Sequence, residues 1–576
     1  MDDRREFMKK LMASLMVGVL ALTTVGCSST GSGTRENTLI VGAEELSGTF
    51  SPIYYSSSYD GYLVDLVYQS LLDYDADSNL VPTLAEELPT VSDDGKTVTF
   101  KLKKGIKFSD GSDFNAKDVK FTFTVTADPS YTGRYGSTVK NIVGSDEYMD
   151  KKNTKVTEVS GIETPDDYTV VFHLKEARID SVADLGTNFG ILSDEQFKDY
   201  TRGNTKMIEK AVGTPIGTGP YKLNKFDKSS SASLVKNEYF QAEEGKYKIE
   251  NVIIKKVEMS TEIDELTSGA VDYLAGMIEP KKIGPASLNE KLTFNTYPRA
   301  GMGYIGFNTV TGATADKAVR QALAFAFDRQ SFVDSYYKFE EGSEEVKKLS
   351  VGYVPTGYQN PASDLGAVVR GEETLEGLET YEYDIEKAKQ ILDEAGWKVG
   401  SDGIREKDGE KLTVKLMAIK EHDILNTLIP MWQKSWGQEL GVDLKQTTVE
   451  FNTLLDKTKN DNALNEWNVF FMAAAFTGVS TTEVNNQYDP NSSENNRTRL
   501  NDAELVSMLE KAISTTSQEE SNELYKQAFI KANDDMAVLP VYGNQYFDLY
   551  NKKIKGLKTG PVCTWANAIA DAYIEE

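Results

Sequence analysis

Two histidines and two cysteines are all that 576 residues supply of the side chains most used for metal ligation and nucleophilic attack. His173 and His422 have no Cys or His at metal-ligand spacing, so no metal site is implied. His173 lies in the run Tyr168 to Leu174, where alternation puts Val170, Phe172 and Leu174 on one face and the imidazole on the other, toward solvent. No G-x-S-x-G elbow and no P-loop is present, which removes the commonest serine-hydrolase and nucleotide signatures. Gly301-Met302-Gly303-Tyr304-Ile305-Gly306 has the spacing of a dinucleotide loop. However, Phe307-Asn308-Thr309 do not open a helix, so phosphate-cradling geometry does not follow. Asp73, Asp75 and Asp77 begin like a calcium loop, but Ser78 replaces its glycine and Leu84 cannot supply its bidentate carboxylate; a polar turn between strands is expected. Trp432 and Trp436, four apart beside Leu428 and Leu440, read as core. No cofactor is implied, and enzymes outside these classes stay open at this point.

The N-terminus assigns a compartment. Arg4, Arg5, Lys9 and Lys10 precede an apolar run from Leu11 to Val25, then Gly26-Cys27 and a Ser/Gly-rich stretch. The run is too short for a permanent membrane helix and reads as a cleavable export leader over 1–26, followed by a flexible tether over 27–36. The junction resembles a bacterial lipobox, with Thr24 where Leu is usual, which makes Cys27 the lipidation site. Acyl chains, at about 0.8 kcal/mol per buried methylene, would hold an extracytoplasmic body at the membrane through the lipid alone. The pattern from Arg4 to Lys9 also resembles a twin-arginine export motif. Four basic and three acidic side chains leave with the leader, taking the net charge from −26 to about −27, which repels phosphate backbones and argues against nucleic acid. If Cys27 is acylated, Cys563 has no partner and no disulfide framework exists. A hydrophobic content of 40% in a chain of this length supports two or three lobes.

The elements that must position any site read as mixed α/β. Leu39 to Ala43 is a compact apolar strand, and Tyr62 to Leu72 carries Leu63, Leu66, Val67 and Leu71 at helical spacing. Thr97 to Lys103 alternates as a half-buried strand after the turn Asp93-Asp94-Gly95. Asp316 or Thr314 caps a helix expected to run through Tyr336, and Asp384 starts another ended by Gly396. Ser517-Gln518-Glu519-Glu520 opens a helix to about Asn533, and Val538 to Tyr542 looks like a strand. Alternation of this kind points to α/β or α+β lobes.

Collinear motifs then carry a family resemblance. Asn79 to Glu86, Asp94 to Gly111, Asn115-Ala116-Lys117-Asp118-Val119, Gly217-Thr218-Gly219-Pro220-Tyr221, Gly306-Phe307-Asn308-Thr309, Val319 to Arg329 and Ala388 to Trp397 resemble, in order, the peptide-type solute-binding proteins of ABC importers. That family includes dipeptide, oligopeptide and nickel binders. The resemblance covers nearly all of the mature chain. It implies an α/β two-lobe periplasmic-binding-protein clamshell with crossing hinge strands plus an extra α+β domain. Lobe I would comprise 37–78, 213–297 and 540–576, the extra domain 79–212 and lobe III 298–539, with hinges near Tyr297-Pro298 and Leu539-Pro540.

The implied function is capture of oligopeptides or dipeptides by a monomer that hands them to ABC permease subunits. Alternatives are a receptor of the same fold for a chelated metal or small sugar, a peptide-signal sensor and, last, an anchored hydrolase. Ligand-facing residues are expected in the loop after the first strand (Tyr54, Tyr55, Ser57, Ser58), at Tyr304 and Asn308, and in Phe476, Thr477 and Gly478. In peptide receptors the last segment goes on to an aspartate for the ligand's amino group. Val479 stands there instead, leaving Glu483 or another acid for that role, or a guest without a free amine.

Overall fold

The computed structural model describes residues 37–575 apart from 56, 350, 421, 477 and 492–494, so the leader, Cys27, the tether and Thr477 lie outside it. Twelve strands make the main sheet: β1 (Thr38–Ala43), β2 (Tyr221–Asp227), β3 (Ser231–Lys236), β4 (Asn251–Lys256), β5 (Tyr273–Met277), β6 (Leu292–Pro298), β7 (Gly301–Phe307), β8 (Gly352–Tyr353), β9 (Thr413–Ile419), β10 (Asp443–Val449), β11 (Val469–Ala475) and β12 (Val538–Asn551). Their order is β10-β9-β11-β7-β12-β5-β1-β4-β3-β2, with β6 and β8 also on β12. The buried strands are apolar runs without alternation, as a strand covered on both faces must be; β7 has no exposed residue.

β12 joins two half-sheets. Its first residues pair with β7, from Gly306↔Val538 to Gly303↔Tyr542, and its last seven with β6, from Pro298↔Gln545 to Leu292↔Asn551. The return connection is the short step Arg299–Ala300 between β6 and β7, where the Arg299 amide donates to the Asn544 carbonyl at 2.9 Å. Two groups of strands linked by two crossing segments form a two-lobe clamshell. On the long strand, Pro540 is laddered to Tyr304, while Gly543 and Asn544 pair with Tyr353 and Gly352 of β8.

Three apolar cores support this sheet. One gathers Leu39, Phe50, Phe100, Phe172, Leu234 and Trp565. The second holds Phe307, Leu323, Trp432, Trp436 and Val541, and the third Tyr304, Trp467, Phe470 and Tyr525. Trp432 and Trp436 stack at 5.1 Å, fully buried, and the Trp436 indole donates to the Leu323 carbonyl at 2.9 Å.

The sequence expectations meet the structure unevenly. The strands over Thr97 and Thr169 form and pair directly, Thr97↔His173 through Lys101↔Thr169, with His173 half-exposed and 3.3 Å from Glu163. The helix expected over 62–72 is instead α1 (Ser58–Val67): Ser57 caps it a turn earlier, and Leu72–Tyr74 turns back as a strand on Leu80–Pro82. The helix expected from Asp316 to Tyr336 is broken into α2 (Lys317–Phe325) and α3 (Arg329–Tyr336), because the Asp328 carboxylate accepts from the Ser331 amide and starts a second helix. Asp384 caps α4 (Ile385–Glu394), and Ser517 caps α5 (Gln518–Asp535). Asp75 accepts from the amides of Asp77 and Asn79, so the calcium-like stretch is an Asx turn at a hairpin tip. The glycines of Gly301 to Gly306 are strand residues in a different role: a Cβ at Gly306 would lie 2.2 Å from the Phe470 ring.

Candidate ligand-binding site

Two loops from opposite halves frame the candidate site. On the first half, residues 51–58 lead into α1. The Tyr54 ring packs on Tyr131 at 5.3 Å, and burial pushes its phenol up to about 12. The Tyr135 hydroxyl donates to Tyr55 at 3.3 Å. Ser57 accepts from the Tyr59 amide as the helix cap, and Ser58 is exposed on the first turn. Beside this loop a cavity of about 460 Å³ is lined by Tyr55, Tyr68, Tyr74 and Asn188 among others, with no contribution from residues 298–539.

On the second half, β11 ends at Ala475 and the chain turns. The Phe476 amide donates to the Ala300 carbonyl at 2.8 Å, tying the turn to the crossing step. Glu483 folds the turn back: its carboxylate accepts from the Gly478 amide at 3.0 Å and from Asn360 Nδ2 at 2.5 Å, while Asn360 also donates to the Gly478 carbonyl. Tyr358 lies between Phe476, at 5.8 Å, and Tyr304, at 5.3 Å, so Tyr304 supports the wall from behind, its phenol raised by burial to about 12.

The structure therefore brings Phe476, Gly478 and Glu483 together, sets Tyr304 beneath them and places Tyr54, Tyr55, Ser57 and Ser58 on the other half. Asn308 joins neither group. Fully buried, it donates to the Leu464 and Trp467 carbonyls and accepts from the Val310 and Thr311 amides, so its side chain is committed to a loop. Sequence reasoning missed Tyr358 and Asn360, which lie in a stretch with no helical or strand periodicity, and Tyr74 and Asp180, which come from the other half.

Those last residues show where the halves meet. Thr482 donates to Asp180 at 3.1 Å, the Ile179 amide donates to the Ile513 carbonyl, and the Tyr74 hydroxyl lies against Gly478. Arg178 grips Asp180 with two bonds of 3.0 and 2.8 Å. Nearby Asp184 is pushed up to about 7 by burial, with Asp180 and Glu483 adding to the shift. Its folded-state pKa is raised, so its contribution to stability is fully present below about pH 4 and is lost as pH rises through about 7. Asp184→Asn should remove that part of the slope. Denaturation at pH 5 and pH 8 should show wild type losing on the order of 2 kcal/mol more than the variant. Parallel profiles would refute the assignment.

A two-halved architecture of this kind has relatives. The profile of "Bacterial extracellular solute-binding proteins, family 5 Middle" matches residues 79–498. The chain belongs to this family. Along almost its full length this family 5 protein is 26% identical to the oligopeptide-binding protein AppA of Bacillus subtilis (strain 168), covering 97% of each chain. It is also 26% identical to the dipeptide-binding protein of Escherichia coli (strain K12), covering 96% of this chain and 97% of that one. Its fold matches that of lactococcal OppA, complexed with an endogenous peptide in the closed conformation, with a TM-score of 0.75 at 20% identity over 93% of this chain and 100% of that one. As a family 5 member it is an extracellular solute-binding protein and not an enzyme. Among the described residues no helix is long and apolar enough to cross a membrane.

Proposed function

We propose that this protein captures peptides between its two halves, as a monomer anchored through Cys27, and delivers them to an ABC importer. One observation carries the reading: Gly478 and Thr482 of one half reach Tyr74 and Asp180 of the other, while two segments among the described residues cross between the halves. A guest that touches both faces only when they close converts its binding energy into closure, which a membrane partner can recognise. We assign lobe I to 37–78, 213–297 and the C-terminal segment, the added domain to 79–212, and lobe III to 298 through about 542. The guest's backbone would run past Tyr54, Tyr55 and Ser58 on one side and past Phe476, Thr477 and Gly478 on the other. Extended backbone recognition tolerates varied side chains. A micromolar affinity, about −8 kcal/mol, permits both capture and release.

Mass spectrometry of ligand carried through gentle purification, with a thermal-shift screen of di- to hexapeptides, tests the reading. Bound peptides and a stabilising subset are expected; hydrolysis of the peptides, or a sugar in their place, would overturn it. Glu483→Ala frees both Gly478 and Asn360 from their shared acceptor. It should weaken the best peptide roughly 10- to 100-fold by calorimetry, with little change in melting temperature. Unchanged affinity would place the guest elsewhere. For the anchor, Cys27→Ala should move the protein from the membrane fraction to the medium.

A further inference from the structure

Arg299 occupies the step between β6 and β7, and its neighbour Ala300 is the residue to which the Phe476 loop is tied. In a chain with 89 acidic and 63 basic side chains, this guanidinium has no carboxylate within ion-pairing distance among the described residues, and its buried Nε has no hydrogen-bond partner among them. The other arginines with described side chains are either paired with a carboxylate, as Arg178, Arg370, Arg405 and Arg499 are, or bonded to backbone carbonyls. Arg299 instead lies over the Tyr546 ring at 5.4 Å, donates to the Tyr542 phenol and lies within electrostatic reach of the phenols of Tyr337 and Tyr353. The Tyr353 hydroxyl is also buried without a partner. Asp548, on the same strand as Tyr546, is already engaged by the Gly276 amide, the Tyr297 hydroxyl and Thr559.

A guanidinium stays charged at any working pH, and for the half-buried Arg299 ring faces and phenols compensate only part of the cost of shielding its Nε from water. A carboxylate would meet it with paired, charge-assisted bonds and would also give the phenols an acceptor. We propose that Arg299 and the surrounding tyrosines form an anion subsite that receives a carboxylate of the guest. Its place on the crossing step means that filling the subsite also fixes the segment about which the halves move. The inference rests on the reading that guests enter between the halves; the shared chemistry is the carboxylate, from a peptide terminus or from a carboxylate-rich small solute.

Matched tri- to hexapeptide pools, as free acids and as C-terminal amides, should be titrated calorimetrically into the mature chain, Arg299→Gln and Arg299→Lys. The free acids should bind wild type at least 10-fold more tightly than the amides. The ratio should fall to within about 3-fold in Arg299→Gln and recover in part in Arg299→Lys, with melting curves checking that both variants fold. Equal binding of acid and amide by wild type, or a ratio that Arg299→Gln leaves intact, overturns the subsite while peptide capture stands. If neither pool binds, peptide capture falls, and citrate and nickel–citrate decide the subsite: binding abolished by Arg299→Gln supports it, and no binding or an unchanged response overturns it.

Discussion

A valine at Gly303 is expected to cost about 3–5 kcal/mol of folding stability, read as a lowered urea midpoint. A Cβ there would lie 2.1 Å from Tyr542 Cε1 and 2.6 Å from its Cζ. Neither neighbour can move aside. β7 is buried between β11 and β12, and the Tyr542 ring is hemmed by Tyr337 at 5.2 Å and Phe332 at 6.0 Å. Adding Tyr542→Ala should restore part of the loss, because the two substitutions relieve the same overlap. A loss under 1 kcal/mol would mean that the strands do not cross as tightly as drawn.

Arg329→Met is expected to cost a similar amount, for an electrostatic reason. The side chain is 4% exposed, and its guanidinium donates to the carbonyls of Pro540 at 2.7 Å, Thr380 at 2.6 Å, Tyr381 at 3.1 Å and Pro355 at 3.3 Å. Burial lowers its pKa to about 10, still leaving it protonated at neutral pH. Methionine fills the volume but leaves three buried acceptors and one half-buried acceptor without this donor, at about 3–5 kcal/mol in all. Lysine, lacking the planar fork, should recover less than half. Because Pro540 is laddered to Tyr304 just before the crossing, peptide affinity should fall along with the denaturation midpoint. A variant as stable as wild type would show that these carbonyls find other donors.

The comparison of Gly303 with Arg329 also shows what can be read locally. Gly301-x-Gly303-x-x-Gly306 has a phosphate-loop spacing that Phe307 to Thr309 exclude by not opening a helix; the close approach that Gly303 permits is to Tyr542, more than two hundred residues away, and no local pattern shows it. Caps are legible because they act over three residues: Asp316, Asp384 and Ser517 each begin the helix expected of them. The break at Asp328 was not, since Ala324-Phe325-Ala326-Phe327 contains no helix breaker. The strand expected over Val538 to Tyr542 does not stop at the polar Gly543-Asn544-Gln545: β12 continues to Asn551 by pairing with β6.

The sequence alone determined the class of the molecule: mixed α/β lobes, no catalytic constellation and a family signature spread over most of the chain. These depend on composition and short-range pattern, which survive without knowledge of neighbours. Tertiary structure alone decided that Asn308 is committed to the carbonyls of Leu464 and Trp467, that Glu483 is bonded to Gly478 and Asn360, and that Arg299 faces tyrosines instead of an acid. Each of those outcomes is set by groups brought together from distant parts of the chain, and the charge, burial and hydrogen-bonding of a side chain are properties of that company rather than of its residue type.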